Sequence, residues 1–131
     1  MTDPAKRVTR TLVYDIRANR FRYLKPKRRP TPGYAAGTAY IQGQDAVLAI
    51  IGAREPEQWV YSFKKNDWTQ LPKQSAGQPK FHFPYVQMDY VAKHGVLVNY
   101  GGGTSLMRPD VGKLDWSGVP ASAASGKKPG K

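Results

Sequence analysis

Arginines alternate with aromatic side chains in RANRFRYLKPKRR, residues 17–29. Guanidinium groups hold phosphates and rings stack on bases, so this run has the residue types of a nucleic-acid contact. Phe21 is also wanted by a sheet core, which leaves Tyr23 as the free stacking ring, and charge alone gives salt-sensitive, sequence-blind binding. Catalytic chemistry has less to work with. His82 and His94 are the two histidines, with no HxH or HxxxH spacing and no thiol in the chain, so no metal site is expected. His94, in AKHG, reads as a turn residue. Serines fall in loops and in the C-terminal tail, without a G-x-S-x-G elbow for a nucleophile. GGGTS (101–105) lacks the Gly-Lys-Ser/Thr of a phosphate-binding loop and reads as the glycine-rich end of a strand. Carboxylates are too few to suggest an acid–base pair. No catalytic residue and no cofactor is expected.

The basic residues are not spread evenly over the chain. Net charge is +12 in 131 residues. Residues 1–30 hold ten Lys/Arg against two Asp, residues 31–112 seven against six acids, and residues 113–131 four against one. The middle is nearly neutral and the ends are cationic, an arrangement that attracts polyanions or simply maintains solubility. Residues 1–10 read as a basic arm and 117–131, small, polar and Lys-rich, as a disordered tail. The 40% apolar and 11% aromatic content suffices for one packed domain over residues 11–116. No apolar run approaches the length of a membrane span and no secretory h-region is visible, so the expected compartment is the cytoplasm. The lack of cysteine removes disulfides and thiol chemistry together.

The elements that must position these residues read as strands. Sustained 3.6-residue periodicity is missing, and eleven prolines with thirteen glycines leave little room for long helices. WVYSFKKNDWTQLP (59–72) parses as a hairpin around a polar turn at Lys64–Asp67. LVYDIRANRFRYLKP (12–26) repeats it at an offset of 47: Val13 and Tyr14 match Val60 and Tyr61, Asn19 matches Asn66, Phe21 matches Trp68, and Leu24 matches Leu71. AYIQGQDAVLAIIG (39–52) and DYVAKHGVLVNYGG (89–102) echo one another at 49 to 50. A period in the high forties in an all-β pattern indicates propeller blades. The expected strands are 11–15, 21–25, 36–41, 46–51, 59–63, 68–71, 86–91, 96–100 and 113–116. Trp59, Tyr61, Trp68, Leu48, Ile50, Leu97 and Val98 are the expected core.

This order of residues resembles the kelch repeat: Gly101 and Gly102 as the double glycine, Tyr14 and Tyr61 as the third-strand tyrosine, Asp15 as the acid after it, and Phe21 and Trp68 as the fourth-strand aromatic. The middle repeat departs from it with a single Gly52 and with Ser62 in place of the acid. The resemblance implies an all-β, kelch-like β-propeller segment of antiparallel four-stranded blades. It would hold the last two strands of one blade, a full blade, and the first two or three strands of another. About two blade equivalents cannot close a ring, so a fragment of a longer propeller or a homo-oligomer is expected. In the latter, residues 11–25 of one copy would complete 86–100 of the next, with three copies to a ring, sparing Val96–Tyr100 an unpaired edge. The template also sends the long loops to one face, making Arg28, Arg29, Arg54, His82, Tyr85 and Arg108 the candidate binding residues. The propellers of copper radical oxidases are similar in fold, but their site needs a cysteine, which this chain lacks. The function expected is that of a non-catalytic interaction module, with a protein as the first candidate partner. The alternatives are nucleic-acid association through residues 17–29, and a section of a propeller enzyme whose active residues lie outside this chain.

Overall fold

A computed structural model of the protein describes residues 9–52, 57–72, 87–100 and 104–117. Nine strands form three antiparallel sheets. The first is a hairpin of β1 (Thr11–Asp15) and β2 (Arg20–Leu24). The second is a four-stranded meander of β3 (Tyr34–Ile41), β4 (Ala46–Gly52), β5 (Glu57–Ser62) and β6 (Asp67–Gln70). The third contains β7 (Gln87–Val91), β8 (Val96–Tyr100) and β9 (Thr104–Met107). The described residues contain no α-helix, only single 3-10 turns at Ala92–His94 and Val111–Lys113. The strands thus group as two, four and three.

One turn device recurs in all three sheets. Asn19, Asp45 and Asn66 each close a hairpin with positive φ, at 49°, 47° and 46°. Asn and Asp tolerate this left-handed conformation better than other side chains with a Cβ. Five residues before each stands a tyrosine. Tyr14 donates its phenol hydrogen to Asn19 Oδ1, Tyr40 to Asp45 Oδ1 at 3.2 Å, and Tyr61 to Asn66 Oδ1 at 2.5 Å. The fourth example pairs Tyr90 with Gly95, whose φ is 60°, and a Cβ there would stand 3.8 Å from the Tyr90 phenol oxygen. The residue after the tyrosine pins two of these turns: the Ala18 amide donates to Asp15 Oδ1 at 3.0 Å, and the Lys65 amide to Ser62 Oγ at 3.2 Å. Ser62 therefore does for the middle hairpin what Asp15 does for the first.

Packing follows the two-residue period of the strands. One face of the middle sheet carries Ala39, Ile41, Leu48, Ile50 and Val60, which form a core with Met88 and Leu97 of the third sheet and with Val111. The other face carries Ala49, Ile51, Trp59, Tyr61 and Trp68. It meets the first sheet where the Trp68 indole donates to Thr11 Oγ1 at 2.8 Å. Tyr61 thus faces the first sheet and Tyr90 packs toward the middle one, so these two sheets are stacked with the same polarity. Of the expected core, Trp59, Tyr61, Leu48, Ile50 and Leu97 are buried, while Trp68 and Val98 are half-buried.

Three expectations are corrected. Residues 113–116 are not a strand: Val111–Lys113 is a 3-10 turn, and the third strand of its sheet is Thr104–Met107, in the stretch read as a loop. That strand pairs with β8 through Leu97–Met107 to Tyr100–Thr104, so Val96–Tyr100 has no free edge for a second copy to complete. Phe21, expected in the core, is exposed.

After β9 the chain folds back over the middle sheet. Gln44, in the β3–β4 turn, donates to the Pro109 carbonyl at 2.8 Å and accepts from the Val111 amide at 2.7 Å. Further on, the Asp115 carbonyl accepts from Thr69 Oγ1 and from Arg28 Nη1. Trp116 packs on the core edge and donates to the Val111 carbonyl at 2.9 Å.

Candidate functional site

The six loop residues singled out by the kelch template do not gather at one site among the described residues. Arg54, His82 and Tyr85 lie outside them. Arg28 is buried, 6% exposed, and serves the fold. Its backbone amide donates to Asp67 Oδ1 at 2.8 Å, and its Nε and Nη2 donate to Asp67 Oδ2 at 3.2 and 3.0 Å. Its guanidinium also lies 5.8 Å from the centroid of the Trp116 ring. A buried guanidinium engaged by Asp67 and by the Asp115 carbonyl serves the fold rather than a ligand. Arg29 beside it is exposed.

Arg108 is exposed but stands at the opposite end from the one expected. Because β9 intervenes, Arg108 follows the strand end beside Leu97, and its Nη1 donates to the His94 carbonyl at 2.8 Å in the β7–β8 turn. His94 itself lies in the tight turn, as expected.

The described surface does bring one set of chemically capable residues together, on the outer face of the first hairpin. Opposed residues of an antiparallel pair share a face, and the register pairs Leu12 with Tyr23 and Tyr14 with Phe21. All four are exposed, Phe21 by 67%. The Tyr14 and Phe21 rings are 4.9 Å apart and tilted by 49°. The Arg10 guanidinium caps this face, 5.6 Å from the centroid of Tyr23. Thr11, Val13 and Leu24, on the inner face, are half-buried toward the middle sheet.

Cations rim the aromatic face. Arg10 lies over Tyr23, Arg17 sits in the turn, and Lys25, Lys27 and Arg29 follow β2, while Arg20 and Arg22 stand on the opposite face with Val13 and Leu24; all seven are exposed. Among the described residues none of these seven forms an ion pair. The one acid of the hairpin, Asp15, has an oxygen committed to the Ala18 amide. The face is therefore apolar at its centre and cationic around it.

Elsewhere the ionisable groups serve the scaffold. Burial pushes the Tyr61 phenol above its ordinary pKa, partly offset by the nearby Arg22 cation. Hydrogen bonding to Asp45 does the same for Tyr40. The Ser117 amide and hydroxyl hold the Asp115 carboxyl below the usual carboxylate range. No three His, Asp or Glu cluster as metal ligands among the described residues, and no described helix is long and apolar enough to cross a membrane.

The alternation of Arg with Phe and Tyr in residues 17–29 was visible in the sequence. That Phe21 and Tyr14 are available was not, because the repeat places them where the middle hairpin buries its own aromatics. The chain matches no protein-family model, no curated protein and no solved structure. The resemblance to kelch repeats accordingly rests on the sequence residues quoted above alone.

Proposed function

We propose that this chain is a non-catalytic binding module, a kelch-like stack of antiparallel sheets that presents the outer face of its first hairpin to a polyanionic partner. One observation carries this. Tyr14, Phe21 and Tyr23 form an uncovered aromatic face, rimmed by cations that no described carboxylate neutralises, on a body that is otherwise nearly neutral. Uncovered aromatic surface is costly to keep in water, and unpaired like charges repel one another, so a face combining both is relieved by a ligand with flat apolar groups and negative charge.

The test is retention on immobilised heparin against rising salt. Wild-type protein is expected to elute late, and Arg10→Gln/Arg17→Gln/Lys25→Gln early with an unchanged melting temperature, since all three side chains are exposed. Equal elution of the two would sink the proposal.

A second reading is favoured by the stacking polarity. Tyr61 and Tyr90 each face the preceding sheet, whereas the Tyr14 face meets no described sheet. A further blade of a longer propeller would cover it.

A further inference from the structure

We infer that the polyanion is single-stranded nucleic acid, with its bases stacked on Tyr14, Phe21 and Tyr23 and its phosphates held by the surrounding arginines. This rests on the binding face proposed above and goes beyond it, because heparin or polyphosphate would need the cations alone. The rings are what require a base. They lie on neighbouring strands of one ribbon, with their faces or edges open to solvent; among the described residues their polar partners are Asn19 for Tyr14 and Arg10 over Tyr23.

Strand geometry sets their spacing. Phe21 and Tyr23 are two residues apart on β2, so their attachment points are separated by about 7 Å. That is roughly twice the 3.4 Å rise of stacked bases. Bases splayed from an extended strand can each find a ring, whereas bases already stacked inside a duplex offer these rings nothing. Tyr14, opposite Phe21, widens the platform across the ribbon. Arg10, held over the Tyr23 ring, brings a cation onto the stacking face itself, where a guanidinium can also stack or meet a phosphate.

Arg10 and Arg17 are placed for the backbone. The turn carries Arg17 to one end of the platform and Arg10 lies over Tyr23 at the other, whereas the strand alternation puts Arg20 and Arg22 on the inner face of the ribbon, Arg22 near Tyr61. Phosphates of a strand laid along the rings would meet a guanidinium at each end while the bases turn onto the rings. Nothing in this arrangement reads base edges, so binding is sequence-tolerant and strongly salt-dependent.

The experiment is fluorescence anisotropy of a labelled oligouridylate of about ten nucleotides, with a DNA duplex of equal length and heparin as competitors. Wild-type protein should bind the single strand more tightly than the duplex. Phe21→Ala/Tyr23→Ala should weaken single-strand binding by about tenfold or more at fixed salt, leave the salt slope and melting temperature unchanged, and be rescued by Phe21→Trp/Tyr23→Trp. Arg10→Gln/Arg17→Gln should instead lower the salt slope by about 0.7 for each phosphate that no longer meets a guanidinium. Preference for the duplex, or single-strand binding indifferent to the loss of both rings, overturns the inference while leaving a polyanion-binding face in place. Failure to bind oligonucleotide while heparin is retained also overturns it. Failure to bind either removes the binding face altogether.

Discussion

The first hairpin, β1–β2, and the last hairpin of the middle sheet, β5–β6, are built to one plan and used in two ways. Both have tyrosine bonded to an asparagine of positive φ, a side-chain oxygen accepting the amide three residues on, and the tyrosine paired with a cross-strand aromatic. The pairs even agree in geometry: Tyr14–Phe21 at 4.9 Å and 49°, Tyr61–Trp68 at 5.2 Å and 50°. Yet Tyr61 is 3% exposed and Tyr14 45%. Local sequence sets the turn and the register, and the neighbour sets what is buried. The same aromatic pattern is a core in one hairpin and a surface in the other; on the opposite face Asp67 and Thr69 are buried where Arg20 and Arg22 are exposed.

The comparison is broken most severely by truncating its buried partner. Trp59→Ala should cost about 3–5 kcal/mol in urea unfolding as a large-to-small core change. Leu12→Ala, at the matching position of the first hairpin, should cost about 1 kcal/mol or less, because its side chain is already exposed. Equal losses would mean that the outer face is covered.

Charge gives the next contrast. Arg28→Ala leaves the Asp67 carboxylate buried without its partner and should cost about 3–5 kcal/mol. Arg28→Ala/Asp67→Ala should be less damaging than the sum of the single changes, as a double-mutant cycle would show. Arg20→Ala, at the position matching Asp67, should fall within about 0.5 kcal/mol of wild type.

The turns sharpen the comparison rather than break it. Asn19→Ala and Asn66→Ala both force a left-handed alanine and should each cost about 1–2 kcal/mol. Asn66→Ala should be the worse by roughly 1 kcal/mol, because it also strips a buried phenol of its acceptor. Alkaline pH probes the same phenol. The folded chain binds the Tyr61 proton more tightly than the unfolded chain, so this group's stabilising share is complete below about pH 10 and is lost as pH rises through its elevated pKa. Tyr61→Phe should remove that part of the alkaline slope in pH-dependent denaturation. The smallest effects belong to Asp15→Ala and Ser62→Ala, each about 0.5–1 kcal/mol, measurable by thermal unfolding.

Much of the scaffold could be read from residue order. The Val-Tyr and Asn matches at an offset of 47 located both hairpins, and alternation placed eight of the nine strands to within two residues. The ninth escaped because Thr104–Met107 follows three glycines and precedes Arg-Pro, which reads as a loop. Pairing with β8 supplies what its own sequence does not advertise. That strand in turn decided where Arg108 points. Arg28 was legible as a cation in a proline-rich loop, but not as the partner of Asp67, 39 residues away, since long-range pairing leaves no local signal. The exposure of Phe21 was hidden for the converse reason. Its local pattern is that of a core residue, and only the lack of a described sheet over it makes it a surface.

Hydroxyl-radical footprinting with mass-spectrometric readout tests the contrast most directly, because Tyr14 and Tyr61 are the same residue type in the same local geometry. In the free protein Tyr14 and Tyr23 should be oxidised readily and Tyr61 protected, and saturating oligouridylate should protect Tyr14 and Tyr23 without altering Tyr61. Tyr14 as protected as Tyr61 in the free protein would contradict an open aromatic face on the first hairpin.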